Sequence, residues 1–323
     1  MNVAQALEHA NALYLPGFVT DDAALTAERQ KNEEAISVLS AAWMSAPAGS
    51  EPFSFDVVRS LADRNRDTCD EYGAARLRDA RGNGLARRLS DGDLARGVAA
   101  LQGRTVREVE RSAGPGLKSL DAALAEAPVG GTVVGIDIET TDRYPDRGYI
   151  VNVGLQIGAI AADATYDEGC VAYCGLPDMY EQAGVPLADI HHITWGDVAG
   201  KEPFRTNRAL QTAVLAALTT YPFMAHNAAF EDSWFMLHLD GYAEARKAGR
   251  VLPIDTRDIC RRLDEYVATA LPSSSPASLE NWARRRGTLA ANEAERHLGL
   301  DDVNLMLRTV QAEFARKNLF RSR

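Results

Sequence analysis

One stretch constrains this chain more than any other: Thr132-Val133-Val134-Gly135-Ile136-Asp137-Ile138-Glu139. A β-branched apolar run of this kind predicts a strand buried on both faces until its polar end, as in the middle of an α/β layer. Residues two apart on a strand share a face, so Asp137 and Glu139 stand side by side at that end. Two carboxylates held together away from water are costly unless a cation compensates. Oxygen ligands on a rigid strand suit Mg²⁺ or Mn²⁺. The same pattern also arises where a strand simply emerges into solvent, and the residues alone leave both readings open.

The strand follows a change of texture near Glu126-Ala127-Pro128-Val129-Gly130-Gly131. Earlier residues are rich in Ala, Arg, Asp and Glu, with helical spacing over 23–43, 56–77, 94–101 and 117–125 and breaks at 46–50 and 82–84. Later residues predict further strands over 149–161 and 165–174, a helix over 206–218 and a short strand over 222–225. Asn227 caps a predicted helix running to about Leu239; a short strand at 251–254 then enters a helix over 255–270. Two closing helices are predicted near 278–286 and 303–315. Three early strands followed by alternating helices and short strands predict an α/β domain with a mixed sheet flanked by helices, preceded by a mainly helical N-terminal region. The expected division is residues 1–127, a domain over 128–318 and a tail at 319–323.

Composition narrows the classes. No apolar run reaches about 18 residues, so a membrane span is not expected, and the first residues lack the pattern of a secretory signal. Four irregularly spaced cysteines, Cys69, Cys170, Cys174 and Cys260, predict free thiols in a reducing cytoplasm. The net charge of −10 gives no global attraction for nucleic acid, although it suits carboxylates gathered around cations. Between Arg76 and Lys118, ten Lys/Arg face five Asp/Glu, a local excess that fits either a grip on phosphates or solvated helix faces.

Two more segments carry chemistry-bearing residues. In His226-Asn227-Ala228-Ala229-Phe230-Glu231-Asp232-Ser233-Trp234-Phe235, Glu231 lies one helical turn in, above an apolar stripe of Phe230, Trp234 and Phe235. An acidic residue there is also what the helix dipole favours. In Glu295-Arg296-His297-Leu298-Gly299-Leu300-Asp301-Asp302, a His precedes an Asp by five residues across a Gly. An imidazole so placed can take a proton near neutral pH, or can lie idle on the surface.

Taken in order, the three segments resemble the exonuclease motifs of the DnaQ-like, DEDD-type 3′→5′ exonucleases, in the branch with a histidine in the third motif. Ile190-His191-His192-Ile193-Thr194 is similar to that family's I-H-x-I-T segment, Ile254-Asp255-Thr256 to its I-D-T strand end, and Ser278-Leu279-Glu280 to a helix start. The likeness covers about 129–315 and leaves the earlier residues unaddressed. It implies a ribonuclease H-like fold and two divalent ions held by Asp137, Glu139, Glu231 and Asp302. It also implies His297 as general base, contacts to the terminal nucleotide at Thr140 and Thr141, and Asn227 bracing the second motif. The family has Asp where this chain has Glu231. Asp232 is the competing ligand, but it lies about 100° further round the helix.

The implied substrate is nucleic acid with a free 3′ end, single-stranded DNA favoured through the I-H-x-I-T segment, with 5′-mononucleotides as products. An RNA-trimming exoribonuclease shares the same residues, and a nuclease-fold binding module without catalysis is the reading from another class. The first 127 residues are left as the region that contacts substrate, a polymerase or another protein.

Overall fold

The structure, a computed structural model, describes residues 1–12, 22–77 and 129–320. The helices expected over 94–101 and 117–125, the boundary near Pro128 and nearly all of the basic stretch lie outside the described residues. Three N-terminal helices come first: α1 (Val3–Asn11), α2 (Asp22–Ser45) and α3 (Asp56–Leu77). The sequence reading missed α1, which a capping box between Asn2 and Gln5 closes.

The α/β part follows with β1 (Thr132–Thr140), β2 (Ile150–Ala159), β3 (Cys170–Tyr173), α4 (Arg208–Thr220), β4 (Phe223–Ala225), α5 (Ala229–His238), α6 (Tyr242–Lys247), β5 (Pro253–Asp255), α7 (Thr256–Leu263), α8 (Glu265–Thr269), α9 (Leu279–Arg286) and α10 (Gly299–Arg316). The five strands form one sheet in the order β3-β2-β1-β4-β5. β1, β2 and β3 run antiparallel, whereas β4 and β5 lie parallel to β1. This is the mixed, ribonuclease H-like arrangement expected, with β1 at its centre. The helix expected over 255–270 is instead two, because the Asp264 carboxylate turns to Arg285 and Arg286 and caps α8.

Each face of the sheet has its own cover. Val134, Ile136 and Ile138 point into an apolar cluster with Trp234 and Phe235 of α5, and the same cluster takes in Ile36, Leu39 and Trp43 of α2 and Val58 and Leu61 of α3. Val133 and Gly135 point the other way, onto α10, whose Val303, Leu307, Val310 and Phe314 recur at helical spacing. Leu319 and Phe320, expected as part of a tail, fold back onto this second cluster.

The N-terminal helices also grip the loop between β1 and β2 through polar contacts. Along one face of α3, the apolar Val58, Leu61 and Ala62 give way to Asn65 and Arg66. Asn65 donates to both the carbonyl and the carboxylate of Asp146, at 3.1 and 3.0 Å, and Arg66 donates to the Pro145 carbonyl at 3.3 Å. Arg147 pairs with the buried Glu33 at 2.8 Å, and Tyr149 donates its hydroxyl to Asp70. Among the described residues no helix is long and apolar enough to cross a membrane, and all four cysteines are free.

Candidate active site

Because β1, β4 and β5 are parallel, their C-terminal ends share one edge, and three of the singled-out segments meet there. Asp137 pairs across the ladder with Gly154 of β2, and Glu139 with Asn152, before an irregularity at Glu139/Thr140 ends the regular strand. Both carboxylates sit on the α10 face. The first turn of α10 lies directly on the strands: a Cβ on Gly154 would come within 2.1 Å of the Gly299 carbonyl carbon and the Leu300 nitrogen. A Cβ on Gly299 would meet the Asn152 Oδ1 at 2.6 Å. Only two glycines facing each other allow this approach, and it delivers Asp302, three residues along, to the strand end.

Carboxylate oxygens of Asp137, Glu139 and Asp302 all lie within 4.8 Å of one another. Glu295, His297 and Asp302 make a second group within the same limit, so Asp302 belongs to both. Burial first, then the charges of Glu139, Glu231, Asp302 and Glu295, push the Asp137 carboxyl well above its ordinary range. Burial, then Asp302 and Glu295, lifts Glu139 to about 8; burial and Glu295 lift Asp302 to about 8 as well. Carboxylates forced together in this way have the donor chemistry and charge of a site for hard divalent metal ions.

Glu231 stands outside both groups but at the same edge. It is 2% exposed, its Oε2 has no hydrogen-bond partner, and burial raises its carboxyl, with Asp255 and Glu139 adding to the rise. Asp232 is spent elsewhere: it accepts from Tyr242 Oη at 2.7 Å and from Arg246 Nε at 3.0 Å in a buried ion pair. His297, at φ +50°, is partly exposed on the loop entering α10. Thr140 and Thr141 are buried and serve the β1–β2 loop. The Thr140 hydroxyl donates to the Asp142 carbonyl at 2.7 Å, and Thr141 Oγ1 accepts from the Tyr149 amide at 2.9 Å.

Asn227 does not cap α5, contrary to expectation. Its φ of +83° turns the side chain away from the helix, and the helix starts at Ala229 without a side-chain cap. Its backbone N–H instead donates to Asp255 Oδ1 at 3.0 Å, and its side-chain Oδ1 accepts from Arg257 Nη1 at 3.1 Å. His226 beside it is partly buried between Thr256 Oγ1 at 3.0 Å and the Ala277 carbonyl at 2.9 Å, and desolvation brings its pKa down to about 4. Sequence reasoning gave no role to Glu295, Asn152, Asp255 or Arg257. A fully buried Asn152 with neither amide atom partnered was foreshadowed by one signal, a lone polar residue in the apolar run Ile150-Val151-Asn152-Val153.

No protein-family model matches the chain, and no curated protein does. Among solved structures, it is similar to one described as the zinc ion bound form of an E. coli ExoI–ssDNA complex, with 17% identity and a TM-score of 0.44. The match covers 58% of this chain and 41% of that one, so this chain spans less than half the length of that protein. So distant a likeness carries no functional weight; the geometry carries it.

Proposed function

We propose that this chain is a metal-dependent 3′→5′ exonuclease that removes 5′-mononucleotides from nucleic acid, single-stranded DNA in preference to RNA. The observation that carries the reading is the convergence of Asp137, Glu139 and Asp302 within 4.8 Å at the end of the central strand. Asp137, Glu139 and Asp302, with Glu231 completing the set, would hold two Mg²⁺ or Mn²⁺ ions. Such ions, when bound, supply positive charge to the scissile phosphate and acidify a water. His297 takes the proton of the attacking water, whose oxygen bonds to phosphorus as the bond to the leaving 3′ oxygen breaks. Glu295, in the same group as His297, is placed to hold the imidazolium that results. Thr140, Thr141 and Asn227 shape the seat of the terminal nucleotide, the threonines through the β1–β2 loop and Asn227 through the turn before α5. The preference for DNA rests on the resemblance of Ile190-His191-His192-Ile193-Thr194.

The test is cleavage of matched 5′-labelled single-stranded DNA, duplex DNA and RNA by the full chain, with Mg²⁺, Mn²⁺ or chelator. Stepwise shortening from the 3′ end, mononucleotide products and loss of activity with chelator are expected. Asp137→Ala should abolish cleavage and leave the fold intact, since it removes a ligand without opening a core cavity. Near-normal cleavage by that variant would refute the site.

A further inference from the structure

Arg257 is the second residue of α7, at the edge where β5 ends. Two contacts fix it. Its backbone amide donates to Asp255 Oδ1 at 2.9 Å, and its Nη1 donates to Asn227 Oδ1 at 3.1 Å. Partly buried, it nevertheless lies within ion-pair distance of no carboxylate among the described residues. Three other arginines of this half are ion-paired: Arg246 with Asp232 at 3.0 Å, Arg285 and Arg286 with Asp264 at 2.7 and 2.8 Å. A guanidinium offers five N–H donors in a planar fork. Here an uncharged amide positions it and leaves most of its donors unspent. Those contacts put it beside Asn227 and Asp255 at the edge of the site, where its charge lowers the Glu231 and Asp255 carboxyls.

We infer that Arg257 binds a phosphate of the substrate strand next to the one being cleaved. The inference rests on the exonuclease reading above. An arginine fork matches two non-bridging phosphate oxygens, and a pre-positioned one loses little freedom on binding. β5 lies two strand spacings from β1, roughly 10 Å. A scissile phosphate above Asp137 therefore leaves the Arg257 head beside a neighbouring phosphate of the same strand.

The experiment measures binding apart from chemistry. Fluorescence anisotropy of a labelled oligothymidylate is followed across a salt series in Ca²⁺, with the full chain and with Arg257→Ala and Arg257→Gln. The expected result is about tenfold weaker binding for a lost charge-assisted contact. The slope of log affinity against log salt should fall by about 0.7, the value for one phosphate contact to a single strand. In Mg²⁺, kcat/KM for the p-nitrophenyl ester of thymidine 5′-monophosphate, which has a single phosphodiester, should fall less than kcat/KM for the oligonucleotide, because Arg257 has no second phosphate to hold there. Arg257→Lys should keep the salt slope and recover part of the affinity. Unchanged binding and slope in both neutral variants would overturn the inference and leave the exonuclease reading standing. An equal loss on the oligonucleotide and the ester would overturn it too, by making Arg257 a support of the site itself. A chain that cleaves neither substrate but still needs Arg257 to bind DNA would sink the exonuclease reading and keep the phosphate contact.

Discussion

Substituting Gly154 by Ala tests how α10 delivers Asp302. The new Cβ would lie 2.1 Å from two backbone atoms of Gly299 and Leu300, against ordinary contact at about 3.4 Å, so strand and helix must part by about 1.3 Å. No rotamer can relieve a clash between main chains. Overpacking of this kind costs about 1–3 kcal/mol, and a displacement of about 1 Å at a reacting geometry costs on the order of 10²-fold in rate. Gly135→Ala is the control. Its Cβ would meet the side-chain ends of Val303 and Leu307 at 2.8 and 2.9 Å, which can yield, and it sits one pleat further from the site than Asp137. Urea unfolding, Mn²⁺ affinity by calorimetry and cleavage rate at saturating metal should separate the two. Both variants lose stability; Gly154→Ala alone also loses about two orders of magnitude in rate and weakens the metal. A Gly154→Ala protein that binds Mn²⁺ and cleaves like the parent would refute the reasoning, since the close approach would then not be what places Asp302.

Further predictions concern single groups. Glu231→Ala should cost most of the activity with little loss of stability, while Asp232→Ala should lose about 3–5 kcal/mol by stranding the buried Arg246 and keep its chemistry while folded; urea melts beside rate measurements decide, and the reverse ranking sinks the assignment. His297→Ala should slow cleavage by on the order of 10²–10⁴-fold with metal affinity unchanged, and a parent-like rate across neutral pH would make it a bystander. With Glu139 and Asp302 both lifted to about 8, each is about nine-tenths protonated at pH 7 without metal, so ion binding should release roughly one to two protons. Calorimetry in buffers of different ionisation enthalpy reads this number, and zero would refute it. The folded state holds these protons more tightly than the unfolded chain, so metal-free stability should fall as pH rises from about 4.5 through 8. A melting profile that rises over that window would contradict the shifts.

What could be read from the sequence was whatever depends on local periodicity. Strand alternation puts Asp137 and Glu139 on one face, and the 100° step round a helix separates Glu231 from Asp232. The buried ion pair that occupies Asp232 was not legible, because Arg246 lies on the next helix and only tertiary packing joins them. Asn227 was misread because the same residue type serves helix caps and left-handed turns. Helical spacing ran on through Asp264, whose side chain answers to arginines about twenty residues later. The stripes on α2 and α3 announced that a face is buried, but not that the buried face rests against α5. The facing glycines, Gly154 and Gly299, gave no warning at all: absence of a side chain says nothing about what approaches.

The contacts of the N-terminal helices with the β1–β2 loop and with Glu244 of α6 have a consequence in time. Asn65 and Asp146 are 81 residues apart, Glu33 and Arg147 are 114, and Arg59 and Glu244 are 185. Each contact closes a long loop, which slows folding relative to a domain built from local pairs. On the ribosome the helices emerge first and must wait, apolar face uncovered, until β1, the loop and α5 have been made. A ribosome that stalls between α3 and α5 therefore holds a nascent chain whose exposed face a holding chaperone can bind. The sheet edge with Asp137 and Glu139 becomes rigid only when α10, made after all five strands, closes over it.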